Sequence, residues 1–147
     1  MIRPRVRARR VLTLVWRLHR WLYRRSGGRV GGRLVGMPVL LLVTVGRRSG
    51  RPHTTALTYL PYGPDTVVIA SNGGAQNHPD WFLNLRAHPE VEVDLGRRRL
   101  PMRARETTGP ERGALWARVV QMNRRYAGYQ ARTKRRIPVV VLTAAAR

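Results

Sequence analysis

Apolar residues recur along this chain at two different periods, and the change of period divides it. In residues 8–25, Val11, Val15, Leu18 and Leu22 stand four, three and four apart, which is the stripe of one helical face. Arg10, Arg17, Arg20 and Arg24 gather on the opposite side, with Trp16 and Trp21 at the margins. Ser26-Gly27-Gly28 and Gly31-Gly32 then stop the helix and make a hinge. From Met37 onward the pattern turns β. Residues 38–45 (PVLLLVTV) form a near-continuous apolar run, as a strand buried on both faces does. His53 to Leu60 predicts a second strand, and Tyr62-Gly63-Pro64-Asp65 a turn into a third over 66–71 (TVVIAS).

Pro79-Asp80-Trp81 opens a short helix that ends near Ala87-His88-Pro89. Residues 90–96 (EVEVDLG) alternate, with Val91, Val93 and Leu95 on one face, and a fifth strand runs through Leu100, Met102 and Ala104. Thr108-Gly109-Pro110-Glu111 reads as a capping box, opening a helix that carries Leu115, Val119 and Met122 inward. Residues 138–143 (PVVVLT) give a sixth strand. About six mainly antiparallel strands with two inserted helices predict an α+β chain built on a small closed or half-open barrel. That barrel domain takes residues 35–147, and residues 1–34 form the basic amphipathic helix and glycine-rich hinge.

Charge narrows the choice of partner. The 147 residues carry 29 Lys+Arg against 7 Asp+Glu, a formal net charge of +22, and no acid precedes Asp65. The distribution predicts an anionic partner: nucleic acid, an acidic membrane surface or a polyanionic small molecule. Lys134 is the single lysine; arginine grips phosphate and carboxylate bidentately, although a GC-rich genome also enriches it. Nucleic acid is disfavoured, because the basic residues are not interleaved with stacking aromatics and no recognition motif is present. An amphipathic helix flanked by tryptophans suits an anionic membrane surface, while an ordinary helix packed on the barrel with a solvated arginine face is the plain alternative. The longest apolar run, Val35 to Val45, is broken by Pro38 and falls short of the roughly 20 residues a spanning helix needs. No cleavable signal is expected.

Three stretches carry candidate chemistry. Gly46-Arg47-Arg48-Ser49-Gly50-Arg51 lies between two strands, so it is not a P-loop, which leads into a helix. Its glycines allow an anion nest of backbone N–H groups, to which Arg47, Arg48 and Ser49 add charged hydrogen bonds; a hairpin loop with solvated arginines is the alternative. Ser71-Asn72-Gly73-Gly74 is a second glycine loop, permitting close approach of a ligand. Tyr126 and Tyr129 share a helical face and offer two rings and two phenols to a flat ligand. Cysteine is absent, the four histidines lack ligand spacing, and the acids are too few for a hydrolytic pair. No metal site is expected, and any chemistry is borrowed from a cofactor.

Together, GRRSGRPHTT, IASNGGAQNHPDWFLNLRAHPEVEV and YAGYQARTKRRIPVVVL resemble the deazaflavin-dependent nitroreductase family over roughly Val35 to Leu142. The resemblance implies a split β-barrel like those of flavin reductases and pyridoxamine-phosphate oxidases. It implies reduced coenzyme F420, a deazaflavin with a phosphate and an acidic tail, as hydride donor to a quinone or nitroaromatic acceptor. Flavin mononucleotide and haem are the alternatives that related barrels bind. On this resemblance Arg47, Arg48, Ser49, Gly50, His53, Thr55, Ala70, Ser71, Asn72, Gly73, Gly74 and Asn84 hold the cofactor. Thr58, Tyr126 and Tyr129 line the acceptor pocket with Ser71, and Tyr126 and Ser71 are the catalytic candidates. The chain departs from the family pattern at Asn72, where lysine is common, at Thr55-Ala56 in place of Asn-Pro, and at Thr58 and Asn123 in place of tyrosines. Loss of those tyrosines bears on nitroimidazole reduction more than on cofactor binding. The resemblance implies a cytoplasmic enzyme, peripheral on the inner face of the cell membrane through its N-terminal helix. Carriers without catalysis and nucleic-acid binding modules are the competing functional classes.

Overall fold

A computed structural model describes residues 17–21, 24, 33–34 and 37–145. The strands are β1 (Arg33–Leu34), β2 (Met37–Val45), β3 (Pro52–Thr58), β4 (Leu60–Tyr62), β5 (Asp65–Ile69), β6 (Glu90–Leu95), β7 (Arg98–Glu106) and β8 (Val139–Ala144). The helices are α1 (Asp80–Ala87), α2 (Gly109–Met122) and α3 (Arg125–Ala131), with a 3-10 turn at Asn72–Gly74. Residues 17–21 and 24 are helical, in agreement with the N-terminal reading; the glycine hinge and the apolar positions 11, 15 and 22 lie outside the described residues.

One sheet runs β1-β2-β6-β7-β8-β5-β4, with β3 on the other edge of β2. Every pairing is antiparallel. β3 lies on one end of this order and β4 on the other, yet Tyr59 alone separates them in sequence. The chain therefore crosses from one edge of the sheet to the other within a residue and curls it into a split barrel. Tyr59 N–H, which leaves the ladder at that bend, donates to the Pro38 carbonyl at 3.0 Å. Two strands more than expected result: the predicted 53–60 strand is broken at this bend into β3 and β4, and β1 adds a short hairpin partner to β2.

The period-2 rule sorts the core onto the two faces of the sheet. Leu40, Leu42, Val68, Ala70, Val140 and Leu142 point inside, where Trp81, Phe82 and Leu85 of α1 plug the barrel. Val67, Ile69, Val139 and Val141 point outward and are covered by Leu115 and Val119 of α2 and Tyr126 of α3. β5 and β8 are thus buried on both faces over Val67–Ile69 and Val139–Leu142, which is why these stretches are unbroken apolar runs.

Three expectations are corrected. Met122 does not face inward; it is 42% exposed, because α2 ends there and the chain turns at the extended residue Asn123. The capping box does not form: Thr108 makes no side-chain cap bond, and Glu111 is taken by Arg105 at 2.6 Å. On the N-terminal helix, Leu18 and Trp21 are 56% and 54% exposed, whereas Arg20 and Arg24 turn to the barrel, Arg24 pairing with Asp94 at 3.1 Å. The solvated arginine face of the plain alternative is not what Arg20 and Arg24 show.

Truncating Leu42, fully buried in the barrel, to alanine will cost about 2–5 kcal/mol in urea unfolding. Val45→Ala, three residues along the same strand but exposed at its end, will cost about 0.5 kcal/mol or less.

Candidate active site

β2 and β5 run in the same direction, since three antiparallel neighbours, β6, β7 and β8, separate them. The two glycine loops that follow these strands consequently lie at one end of the barrel, and α1 begins there too. A cleft of about 680 Å³ opens beside the first loop, lined by Gly46, Arg47, Arg48 and Ser49, by Pro52, His53, Thr54 and Thr55 of β3, by Asp80, Trp81 and Asn84 of α1, and by Arg20.

The loop is held by its own bonds. Gly46 N–H donates to the Arg51 carbonyl and Gly50 N–H to the Gly46 carbonyl, both at 2.8 Å, and Gly50 takes a positive φ of 69°. Arg51 N–H donates to Ser49 Oγ at 3.2 Å, and Arg47 N–H to Asn84 Oδ1 at 3.2 Å. Four of the loop's amides are therefore spent within the protein, which leaves the successive N–H groups of Arg48 and Ser49, beside the arginine side chains, as the donors for an anion. A Cβ at Gly46 would lie 2.5 Å from Ser49 Oγ and 2.7 Å from His53 Nε2, so a larger residue there would displace those two cleft side chains.

Asn84, on the buried side of α1, uses its amide wholly within the protein. Oδ1 accepts from Arg47 Nη1 at 2.9 Å and Nδ2 donates to Thr44 Oγ1 at 3.3 Å. Arg47 Nη2 in turn reaches Asp80 at 3.3 Å. Asn84, which lines the cleft, also fixes Arg47, while Arg48 projects from the loop exposed and unpaired among the described residues.

The second loop is organised by Arg135, which sequence reasoning did not single out. Its guanidinium donates to the carbonyls of Ala70 at 3.1 Å, Ser71 at 2.9 Å and Ala75 at 2.9 Å. Nη1 also lies 3.0 Å from His78 Nδ1. Burial, reinforced by the Arg135 charge, holds His78 below the ordinary imidazole range, so it stays neutral and accepts this bond. Asn72 occupies the left-handed region at φ 47° and its side chain donates to the Asn77 carbonyl. Gly73 is exposed at φ 64°. Gly74, at φ 82°, packs so closely on α3 that a Cβ would lie 2.8 Å from the Tyr129 carbonyl oxygen. Its glycine serves the packing of the loop on α3.

α3 packs against the second loop, where Gly74 meets Tyr129. Tyr126 is buried and its hydroxyl lies 2.8 Å from Thr58 Oγ1 at the end of β3; Tyr129 meets the Tyr126 ring edge-on, with centroids 5.6 Å apart. Burial pushes the Tyr126 phenol above its ordinary value, against the smaller opposing effect of the Thr58 hydrogen bond. The phenol therefore stays protonated throughout the neutral range.

The candidate residues thus fall into two neighbouring groups. Arg47, Arg48, Ser49, His53, Thr55 and Asn84 line the cationic cleft. Thr58, Tyr126 and Tyr129 form a hydroxyl-bearing corner, with the Ala70–Gly74 loop against Tyr129. β3 links the groups, since Thr55 and Thr58 are three residues and about 10 Å apart on an extended strand. Sequence reasoning missed Arg20, Trp81 and Arg135. The arginines were indistinguishable among so many, and Trp81 read only as a helix opener.

A family model described as F420H(2)-dependent quinone reductase matches residues 15–144. The F420H(2)-dependent quinone reductase of Mycobacterium tuberculosis is 44% identical over 131 residues, 86% of this chain and 88% of the relative. A solved F420-H2-dependent reductase superposes with a TM-score of 0.66 at 37% identity, covering 71% of this chain and 93% of that one. A structure described as a domain-swapped dimer gives a TM-score of 0.68 at 31% identity, covering 90% and 98%.

Gly74→Ala, with both a blocked Cβ and a left-handed backbone, will lower stability by about 1–3 kcal/mol in urea unfolding. Gly73→Ala has open space for its Cβ and carries only the backbone strain, so its loss will be the smaller.

Proposed function

The chain belongs to the F420H(2)-dependent quinone reductase family, and we propose that its two groups of side chains serve hydride transfer from reduced coenzyme F420 to a quinone. The observation that carries the reading is that one strand, β3, joins a cationic cleft, which Thr55 lines, to a hydroxyl pair, Thr58 with the buried Tyr126. The donor set fits the cofactor: guanidinium and hydroxyl groups suit a phosphate and an acidic tail, and Asp80, the one carboxylate lining the cleft among the described residues, is already taken by Arg47.

On this reading Arg48 and Ser49 grip the anionic part of the cofactor, with His53 and Thr55 beside them and Gly50 shaping the loop. Arg47, fixed by Asn84 and Asp80, contributes positive potential from a set position. The loop from Ala70 through Ser71, Asn72 and Gly73 to Gly74 faces the ring portion, its carbonyls held by Arg135. The reduced deazaflavin, when bound, supplies the hydride.

Reduction of a quinone to a quinol also consumes a proton. Tyr126, neutral because burial raises its pKa and aligned by Thr58, holds a proton at its hydroxyl and orients the acceptor. Tyr129 adds an aromatic wall, and Ser71 a further hydroxyl. A preorganised hydrogen bond in a water-poor corner is worth more than the same bond in solvent. Nitroaromatic compounds are the second acceptor class in this proposal, less favoured because Thr58 and Asn123 stand where the family pattern carries tyrosines.

The proposal extends to location: a cytoplasmic protein seated on the anionic inner face of the cell membrane, where lipid-soluble quinones are. The outward Leu18 and Trp21 support this seat. No helix among the described residues is long and apolar enough to cross a membrane.

Fluorescence titration with coenzyme F420 beside flavin mononucleotide, followed by menadione addition to the reduced complex, tests the reading. Selective F420 binding at micromolar concentrations with menadione-dependent reoxidation is expected; no F420 binding would refute it. Arg48→Ala will weaken F420 binding roughly tenfold, the loss of one charge-assisted contact. Tyr126→Phe will leave that affinity within about twofold and lower kcat for menadione by about 10–100-fold. Wild-type kcat should show no tyrosine ionisation below about pH 10.

A further inference from the structure

Three arginines line the cationic cleft, and they differ in what they have left to give. Arg47 is committed through Nη1 to Asn84 and through Nη2 to Asp80. Arg48 stands on the loop wall with no ion pair among the described residues. Arg20 comes from a different element, the N-terminal helix, and enters the cleft from across β3. Its one polar contact among the described residues is to the Thr54 carbonyl, at 3.5 Å, the outer limit for a hydrogen bond. The helix is held over the barrel a turn further on, where Arg24 pairs with the buried Asp94 of β6.

The charges lining this cleft do not balance. Asp80 offsets one arginine, and two positive charges remain in one concave space. Like charges held together are unfavourable in proportion to the inverse of the local dielectric. An arginine with nothing to fear from solvent would turn outward, as Arg17 does on the same helix. Arg20 is instead half-buried, with most of its donors unused. A guanidinium from the helix in the same cleft as Arg48 gives what one loop cannot: bidentate donors brought to an anion by two separate elements.

We propose that Arg20 is a cofactor-binding residue, which takes an anionic group of coenzyme F420 between itself and Arg48. The inference rests on the F420 reading of the cleft. It has a consequence for the helix. If the bound anion is shared between loop and helix, cofactor binding holds the helix against the barrel, and seating of the helix tightens the cofactor by the same factor.

The test uses the full-length protein and F420 as the probe. Arg20→Gln is expected to weaken F420 binding about tenfold and Arg20→Lys by about threefold or less, while Arg118→Gln, on α2 outside the barrel, removes the same charge with a change under about twofold. Thermal melting of each variant separates loss of binding from loss of fold. Hydrogen exchange gives a second readout: amides in residues 17–24 should be slowed by saturating F420 in the wild type but not in Arg20→Gln. If wild type binds F420 while Arg20→Gln binds within twofold and its exchange is slowed equally, the inference is overturned and the cleft assignment stands. If wild type binds no F420, both fall together.

Discussion

A buried carboxamide cannot be left without partners: each unpaired polar atom costs roughly 1–3 kcal/mol in the interior. Asn84 is 4% exposed and is paired on both atoms, to Thr44 on β2 and to the backbone and side chain of Arg47. That one amide ties three elements together: the barrel strand, the helix that plugs the barrel and the cationic loop between β2 and β3. The loop inherits a fixed position, and Arg47 a fixed direction. The other arginines of the cleft are defined by contrast, because what Arg47 has spent they still hold.

Net charge gives this contrast its meaning. With 29 basic residues and 7 acidic ones, most cations cannot find a carboxylate. Asp80, Glu90, Glu92, Asp94 and Glu111 are all taken by arginines. Most of these pairs are exposed and contribute at most about 1 kcal/mol each. Asp94 differs: its side chain is 8% exposed and it binds Arg24 and Arg99 together. The consequence for the surface is simple. Positive charge is the background, and a cleft is selective for what it gathers at short range rather than for its sign.

The strands were legible because burial writes itself into hydropathy. Val67–Ile69 of β5 and Val139–Leu142 of β8 are unbroken apolar runs because α2 and α3 cover one face and α1 lies within the other. The bend at Tyr59 left no such trace, since a strand that changes sheet edge keeps its composition, and so the count of strands came out low. Glycines were legible as special, and packing adds a reason at two places: a Cβ at Gly46 would meet the Ser49 and His53 side chains, and one at Gly74 the backbone of α3. The contact with α3 joins residues far apart in sequence and leaves no local pattern. Arginines are the harder case: in a chain with this many, nothing local distinguishes Arg135, which clamps three carbonyls, from one that is merely solvated.

The N-terminal helix joins these threads. A helix with an apolar stripe and a cationic stripe can rest on a barrel in two ways, and hydrophobic burial alone would put the apolar stripe down. Here Arg20 and Arg24 face the barrel and Leu18 and Trp21 face out. The inversion follows from what the barrel offers at this site: a buried carboxylate at Asp94 and the mouth of the cleft, not an apolar groove. Exposed apolar area on the order of two large side chains costs a few kcal/mol in water and is recovered only by contact with something apolar. In the proposed function that contact is the lipid in which the acceptor dissolves. One side of the helix then meets the charged donor and the other the surface that stores the acceptor, so the same fifteen or so ångströms of secondary structure serve both substrates.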